Sequence, residues 1–158
     1  MPRKYPWAHT GAVDIVEFRL DRESLGGRGP FRVINLFVNG TRLQDLVRSV
    51  ERPYAKADGN AGLAGNYAGL AVGPTLPASH YLGEPVETWF GDGDTILLGC
   101  VCGDPGCWPL TARVTVSEST VTWSGFRTGH RDWDLSAVGP FTFERRAYEA
   151  ALVKAYPT

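Results

Sequence analysis

The sequence has few cysteines and no long apolar run, and each shortage excludes a class of protein. Only three cysteines occur in 158 residues, and all lie within one eight-residue segment. An odd number so closely grouped excludes the disulfide framework of small secreted domains. No stretch approaches the roughly 18 consecutive apolar residues of a membrane span, and residues 1–7 lack the apolar core of a signal peptide. We therefore expect a cytoplasmic protein with no membrane partner.

An excess of charge of one sign is also absent. The 16 basic and 17 acidic residues leave a formal net charge of -1, so no net field attracts the chain to polyanions and nucleic acid is not an expected partner. At 158 residues and 43% hydrophobic composition, the chain has the size of one domain with one core. We predict a single domain over residues 1–158.

Alternating and apolar runs predict a β-rich chain. Residues 12–20 and 31–38 are rich in branched and aromatic side chains, and the glycine-rich turn between them predicts a hairpin. Residues 110–116 alternate apolar and polar side chains, the pattern of a half-buried strand. Together with residues 95–99 and 120–126, they predict an antiparallel meander.

Two helices complete the prediction. Leu43, Leu46, Val47 and Val50 form one apolar helical stripe, Thr41 begins a capping-box pattern, and the proline at position 53 limits continuation, so a short helix over 41–51 is expected. Residues 144–155 predict a C-terminal helix. The sequence therefore predicts an α+β fold in which a curved antiparallel sheet or partly open barrel carries a short internal helix and a C-terminal helix.

Residues 59–91 carry seven glycines and three prolines, which predicts little regular structure. Loops of this length in compact domains are usually functional, disordered, or packed down by their own side chains. The large apolar side chains of this segment favour packing. We expect it to be ordered over one face of the sheet.

The most concentrated chemical signal is the segment 99–109, which holds Cys100, Cys102 and Cys107 among glycines and prolines between two predicted strands. Such a loop can bring three sulfurs together, and zinc prefers four tetrahedral thiolate or imidazole ligands. The fourth ligand is then a distant side chain, with His80 and His130 as the candidates, or water. Zinc is the one cofactor indicated.

Two other interpretations of the thiols stay open. Cysteine is among the most buried residue types, so the three side chains could fill a tight loop as small apolar groups. A redox or nucleophilic cysteine would need a neighbouring histidine or helix N-terminus to lower its pKa, and the sequence places neither beside the loop.

Polar and aromatic residues after the meander form a second candidate site. Asp132 and Asp134 share a face of an extended chain, where paired carboxylates can perform acid–base chemistry or cap turns. Tryptophan and arginine together are the composition of protein-binding hot spots. The candidate binding residues are Trp108, Trp123, Arg127, Arg131, Asp132 and Trp133.

A pattern in the second half of the chain resembles an uncharacterised family of short bacterial proteins with a GCxCGxxGCWP motif. The resemblance implies a bacterial cytoplasmic protein and assigns no catalytic residue. It rests on Leu97-Leu98-Gly99-Cys100-x-Cys102-Gly103-x-x-Gly106-Cys107-Trp108-Pro109-Leu110, Trp133-Asp134, Gly139-Pro140-Phe141-x-Phe143 and Tyr148-Glu149.

Two functions follow from these observations. The first is a non-catalytic binding domain for a protein or small ligand, with residues 100–107 as a structural clasp that could hold zinc. The second is a small enzyme that uses the cysteine loop with His130 or the Asp132/Asp134 pair, in a pocket under the glycine-rich segment. No catalytic triad or cofactor fingerprint is visible in the sequence, which favours the first.

Overall fold

The computed structural model describes residues 13–156, which form two four-stranded antiparallel sheets and two α-helices. The first sheet has the order β1-β2-β3, with β4 also paired to β2, and the second has the order β5-β6-β7-β8. The predicted α+β class with two helices is confirmed, and neither sheet closes into a barrel within the described residues. The strands are β1 (Val16–Leu25), β2 (Arg28–Val38), β3 (Thr41–Arg42), β4 (Leu70–Ala71), β5 (Thr95–Leu98), β6 (Leu110–Val116), β7 (Thr120–Thr128) and β8 (Phe141–Glu144); the helices are α1 (Leu43–Ala57) and α2 (Arg145–Ala155).

A long β1–β2 hairpin forms most of the first sheet. Val16 and Phe18 are buried while Glu17 and Arg19 are exposed, as the alternation predicts. The strand continues past the predicted end at residue 20, as far as Leu25, and a two-glycine turn then leads into β2. The start predicted at residue 12 lies outside the described residues.

Helix α1 follows a tight turn that the sequence left undecided. Asn39 and Gly40 both have left-handed φ angles, as a two-residue hairpin turn requires, and β3 pairs back onto β2 before the helix begins. Thr41 makes no capping hydrogen bond, so the predicted capping box is wrong. The helix also passes through Pro53 to Ala57, because the fully buried Ala55 holds its last turn in the core.

The second sheet confirms the predicted meander and adds a strand that was not predicted. Strand β8 pairs with β7 and buries Phe141 and Phe143. Helix α2 begins directly after it and packs Tyr148 against Phe18 of β1 and Phe143 of β8. The C-terminal helix therefore joins the two sheets in one core.

The glycine-rich segment is ordered and connects the sheets. Strand β4 pairs with β2, and two residues earlier Ala68 exchanges backbone hydrogen bonds of 2.9 and 2.8 Å with Gly99, which follows β5. Gly69 approaches β2 so closely that a Cβ would lie 2.2 Å from the carbonyl oxygen of Ile34. This segment therefore determines how the segment 99–109 sits against the first sheet.

A buried polar network fixes the same segment to both neighbours. The carboxylate of Glu51 on α1 accepts hydrogen bonds from the Gly65 backbone N–H (2.8 Å) and the Tyr67 hydroxyl (2.6 Å). The Tyr67 hydroxyl also lies 2.8 Å from that of Thr128 on β7. Burial raises the pKa of Glu51, although both donors oppose this by stabilising the carboxylate.

We predict that Tyr67→Phe destabilises the domain by about 1–3 kcal/mol, because it removes a donor from a buried carboxylate. The free energy of unfolding in urea is the measurement. Tyr54→Phe is the matched control, since that ring is 37% exposed, and it should change stability by less than about 0.5 kcal/mol. Equal losses in the two variants would show that the network contributes nothing specific.

Candidate metal centre and its surroundings

The loop between β5 and β6 brings the three thiols together. The sulfur atoms of Cys100, Cys102 and Cys107 all lie within 4.8 Å of one another. The backbone N–H of Gly103 donates to the Cys100 carbonyl at 3.0 Å, and Asp104 caps the short turn that carries Cys107. Tetrahedral zinc–sulfur bonds of about 2.3 Å place ligand sulfurs about 3.8 Å apart. The grouping of the three sulfurs within 4.8 Å is compatible with that spacing.

Backbone amides point at these sulfurs. The Cys102 N–H donates to the Cys100 sulfur at 3.3 Å, and hydrogen bonds first from the Asp104 N–H and then from the Cys100 thiol lower the pKa of Cys102. Burial raises the pKa of Cys100 to about 12. These surroundings therefore favour the thiolate form more at Cys102 than at Cys100.

The loop is fastened to both sheets. The Gly26 N–H, at the turn of the β1–β2 hairpin, donates to the Val101 carbonyl at 2.9 Å. Gly26 has a φ of 60°, and a Cβ there would lie 2.5 Å from the Cys102 carbonyl oxygen. With the Ala68–Gly99 pairing, this contact places the thiols where the hairpin tip, the glycine-rich segment and the second sheet meet.

His80 is held away from this group. Its Nε2 lies 2.8 Å from the Ile96 carbonyl, to which it must donate, and its Nδ1 accepts from the Val86 N–H at 3.1 Å. Burial lowers its pKa, which favours the neutral ring. Both ring nitrogens are engaged inside the core, so the structure assigns His80 a structural position instead of the expected place beside the thiols.

His130 lies next to the loop but outside the group of sulfurs. Its exposed ring packs at 4.5 Å from that of Trp89, and its Nε2 lies 3.2 Å from the carbonyl oxygen of Gly106. Gly106 immediately precedes Cys107. Of the two predicted histidines, the structure brings His130 alone to the cysteine loop.

The candidate binding residues divide between the surface and the core. Trp123 is fully buried and donates to the Tyr148 hydroxyl, so its predicted place on a binding surface is wrong. Trp133 is 9% exposed and donates to Asp58 at the end of α1. Arg131 lies over the ring of Trp108 at 5.0 Å and near that of Trp133 at 5.7 Å.

The remaining predicted residues lie at the surface. The Arg127 guanidinium lies 3.8 Å from the centre of the Phe90 ring and pairs with Asp92 at 2.9 Å. Asp132 is exposed. Asp134 is also exposed, and hydrogen bonds from the Ser136 hydroxyl and then from the Ser136 N–H lower its pKa and make it a turn-capping residue. Neither aspartate belongs to the group of ligand atoms that the three sulfurs form.

The sequence did not indicate Trp89 and Phe90 as surface residues, yet they are 39% and 40% exposed. Their loop is rigid because the buried Asp94 accepts hydrogen bonds from the backbone N–H groups of Trp89, Phe90 and Gly91. Burial opposes the ionised form, but these donors hold the pKa of Asp94 below its usual value. In the sequence, the turn pattern of residues 91–94 was the signal that could have indicated the exposure of Trp89 and Phe90.

Two surface cavities are relevant to the enzyme interpretation. One of about 180 Å³ lies between the glycine-rich segment and residues Gly103 and Pro105 of the loop. A larger one of about 380 Å³ is lined by Arg127, Trp133 and Asp134, among others. Neither lining includes a thiol or His130. The cavities therefore do not assemble the groups that the enzyme interpretation requires.

No helix in the described range 13–156 is long and apolar enough to cross a membrane. Comparison with protein families, with curated proteins and with solved structures found no match for this chain.

The Gly26 contact generates a test of the clasp. We predict that Gly26→Ala destabilises the domain by at least about 1 kcal/mol more than Gly27→Ala, measured as the free energy of unfolding under reducing conditions. Both glycines have left-handed φ angles, so alanine introduces a similar backbone strain at either position. Only at Gly26 would a Cβ meet the cysteine loop, since nothing lies within 4 Å at Gly27. Equal losses of unfolding free energy in the two variants would show that the contact of Gly26 with the cysteine loop does not contribute to stability.

Proposed function

We propose that this chain is a non-catalytic binding domain in which Cys100, Cys102 and Cys107 hold a zinc ion as a structural clasp. The grouping of three sulfurs within 4.8 Å carries this proposal. Thiolates are the ligands of structural zinc sites, and zinc brings no redox chemistry of its own. Because the loop touches both sheets, an ion bound there ties the hairpin tip to the second sheet.

The charge balance suits a divalent ion. Three thiolates and one Zn²⁺ carry a net charge of -1, and the amides of Cys102 and Asp104 offset part of it. A monovalent ion would leave a larger negative charge beside the carboxylate of Asp104. Reduced thiols of this kind belong in the reducing cytoplasm, which we take to be bacterial.

The binding surface that we propose adjoins the clasp. It consists of Trp89, Phe90, Arg127 and Arg131, with the partly buried Trp108 and Trp133 behind them, and we refer to it as the aromatic–arginine surface. Aromatic rings and arginines are the residues that dominate binding energy in protein interfaces. The guanidinium of Arg127 stacks on the Phe90 ring and pairs with Asp92 through one nitrogen, so its other N–H groups can still bind a carboxylate.

The occupant that fits this surface is a protein segment with an acidic side chain. Small-molecule sites enclose most of their ligand in a cavity. Here the two most exposed rings, Trp89 and Phe90, do not line the neighbouring cavity of about 380 Å³. The hydrogen bonds from the backbone N–H groups of Trp89 and Phe90 to Asp94 hold the backbone of their loop before binding, which reduces the entropy lost on association.

The zinc clasp predicts one equivalent of zinc per chain in protein purified under reducing conditions. We expect Cys102→Ser to lose most of that zinc and to lower the free energy of unfolding, because zinc binding contributes directly to folding. Elemental analysis by mass spectrometry and urea unfolding are the measurements. Asp104→Asn is the control, since asparagine can still accept from the Gly106 N–H. The clasp would be overturned if the purified wild-type protein contains no zinc and adding zinc leaves its free energy of unfolding unchanged.

The aromatic–arginine surface predicts loss of a partner in defined variants. A protein cross-linked in bacterial extract and identified by mass spectrometry should bind the purified domain at least tenfold more weakly after Phe90→Ala or Arg127→Ala. Val153→Ala is the control, because Val153 is 66% exposed on α2. Equal affinity for all these variants would show that the partner docks elsewhere and would overturn the surface.

A further inference from the structure

The pairing of β6 with β7 carries His130 to the cysteine loop. Leu110 pairs with Thr128 at the end of the ladder, and the Gly129 N–H continues it by donating to the Pro109 carbonyl at 2.9 Å. One residue further, His130 therefore lies across from the last residues of the loop. The pairing of the two strands therefore places His130, and its position does not depend on a long surface loop.

The hydrogen bond of His130 determines which ring nitrogen is free. Nε2 lies 3.2 Å from the Gly106 carbonyl oxygen, and a carbonyl can only accept. Nε2 therefore carries the hydrogen, and Nδ1 keeps the lone pair of the neutral ring. Histidines that bind metals show this arrangement, in which one ring nitrogen donates to a backbone carbonyl while the other faces the metal.

The backbone at His130 is also unusual. Its φ angle is 67°, in the left-handed region that side chains rarely occupy. Residues held in such conformations concentrate at functional sites. Gly129, the residue before it, is buried so tightly that a Cβ would lie 2.6 Å from Pro109 and 3.0 Å from the Trp89 indole nitrogen. The surrounding structure therefore forces the chain to turn sharply at His130.

From this geometry we infer that Nδ1 of His130 is the fourth ligand of the metal, completing a three-sulfur, one-nitrogen site. The inference rests on the proposed zinc clasp. No nitrogen of His130 belongs to the group of ligand atoms that lie within 4.8 Å of one another, so ligation by His130 requires the ring and the tip of the loop to move closer together.

Completion by His130 has a structural consequence. Structural zinc sites are closed by four protein ligands, whereas an open position with water is the mark of catalytic zinc. A fourth ligand from the end of β7 ties that strand to the cysteine loop. It also couples the ion to Trp89, whose ring packs against His130 and belongs to the aromatic–arginine surface.

X-ray absorption spectroscopy at the zinc edge of the purified zinc-loaded protein tests the inference. We expect three sulfur scatterers and one nitrogen with the multiple-scattering pattern of imidazole. His130→Asn should keep three sulfurs, lose the imidazole pattern and bind zinc at least about tenfold more weakly in a competition titration with a chromophoric chelator. Asparagine tolerates a left-handed φ and can donate to the Gly106 carbonyl, so this variant preserves the local fold.

The outcomes separate this inference from the proposed clasp. Three sulfurs with no imidazole in the wild type, or unchanged zinc affinity in His130→Asn, would overturn the histidine ligand and leave the clasp standing. A wild-type protein that binds no zinc would overturn both. The metal-free forms of His130→Asn and of the wild type should unfold at the same denaturant concentration. That result would confirm that the lost zinc affinity reports ligation and not damaged packing.

Discussion

Two backbone hydrogen bonds between Ala68 and Gly99 join the glycine-rich segment to the second sheet, and the placement of the cysteine loop depends on them. Two residues after Ala68, the same segment pairs with β2 in the first sheet. One short stretch of chain therefore sets the position of both sheets at this edge. Because Cys100 follows Gly99 directly, any shift in this pairing would move all three sulfurs relative to the hairpin tip.

The core supports that arrangement with side chains of two kinds. Apolar packing between the sheets includes α2, where Tyr148 touches rings of both sheets. Polar support comes from the Glu51–Tyr67–Thr128 network, which links α1, the glycine-rich segment and β7. Such networks cost free energy unless their members are satisfied, so they favour one arrangement over near alternatives. The segment that carries no regular structure of its own is thus held more specifically than its composition suggests.

Local patterns predicted the elements well, and non-local contacts account for what they missed. The alternation in β6 and the stripe of Leu43, Leu46 and Val47 are properties of neighbouring residues, and both were readable. The continuation of α1 past Pro53 depends on burial of Ala55, which only the folded core supplies. The four-residue strand β8 was too short to show a period before α2 began.

The candidate site divides in the same way. Clustering of the three cysteines was visible because they lie within eight residues of each other. Trp123 was indistinguishable from a surface tryptophan, because its burial against Tyr148 is set by a helix 25 residues away. The choice between His80 and His130 also required the fold. His80 is held in the core by hydrogen bonds with Ile96 and Val86. The β6–β7 ladder instead places His130 beside the cysteine loop.

The hydrogen bond from Gly26 to Val101 changes the mechanics of the β1–β2 hairpin. Strands of ten and eleven residues extend about 33 Å. A hairpin of that length anchored only at its base would bend most at its tip. At the base, Asn39 exchanges backbone and side-chain hydrogen bonds with Ile15. Because β2 also pairs with β4 near its middle, fastening the tip leaves the hairpin restrained at its base, its middle and its far end.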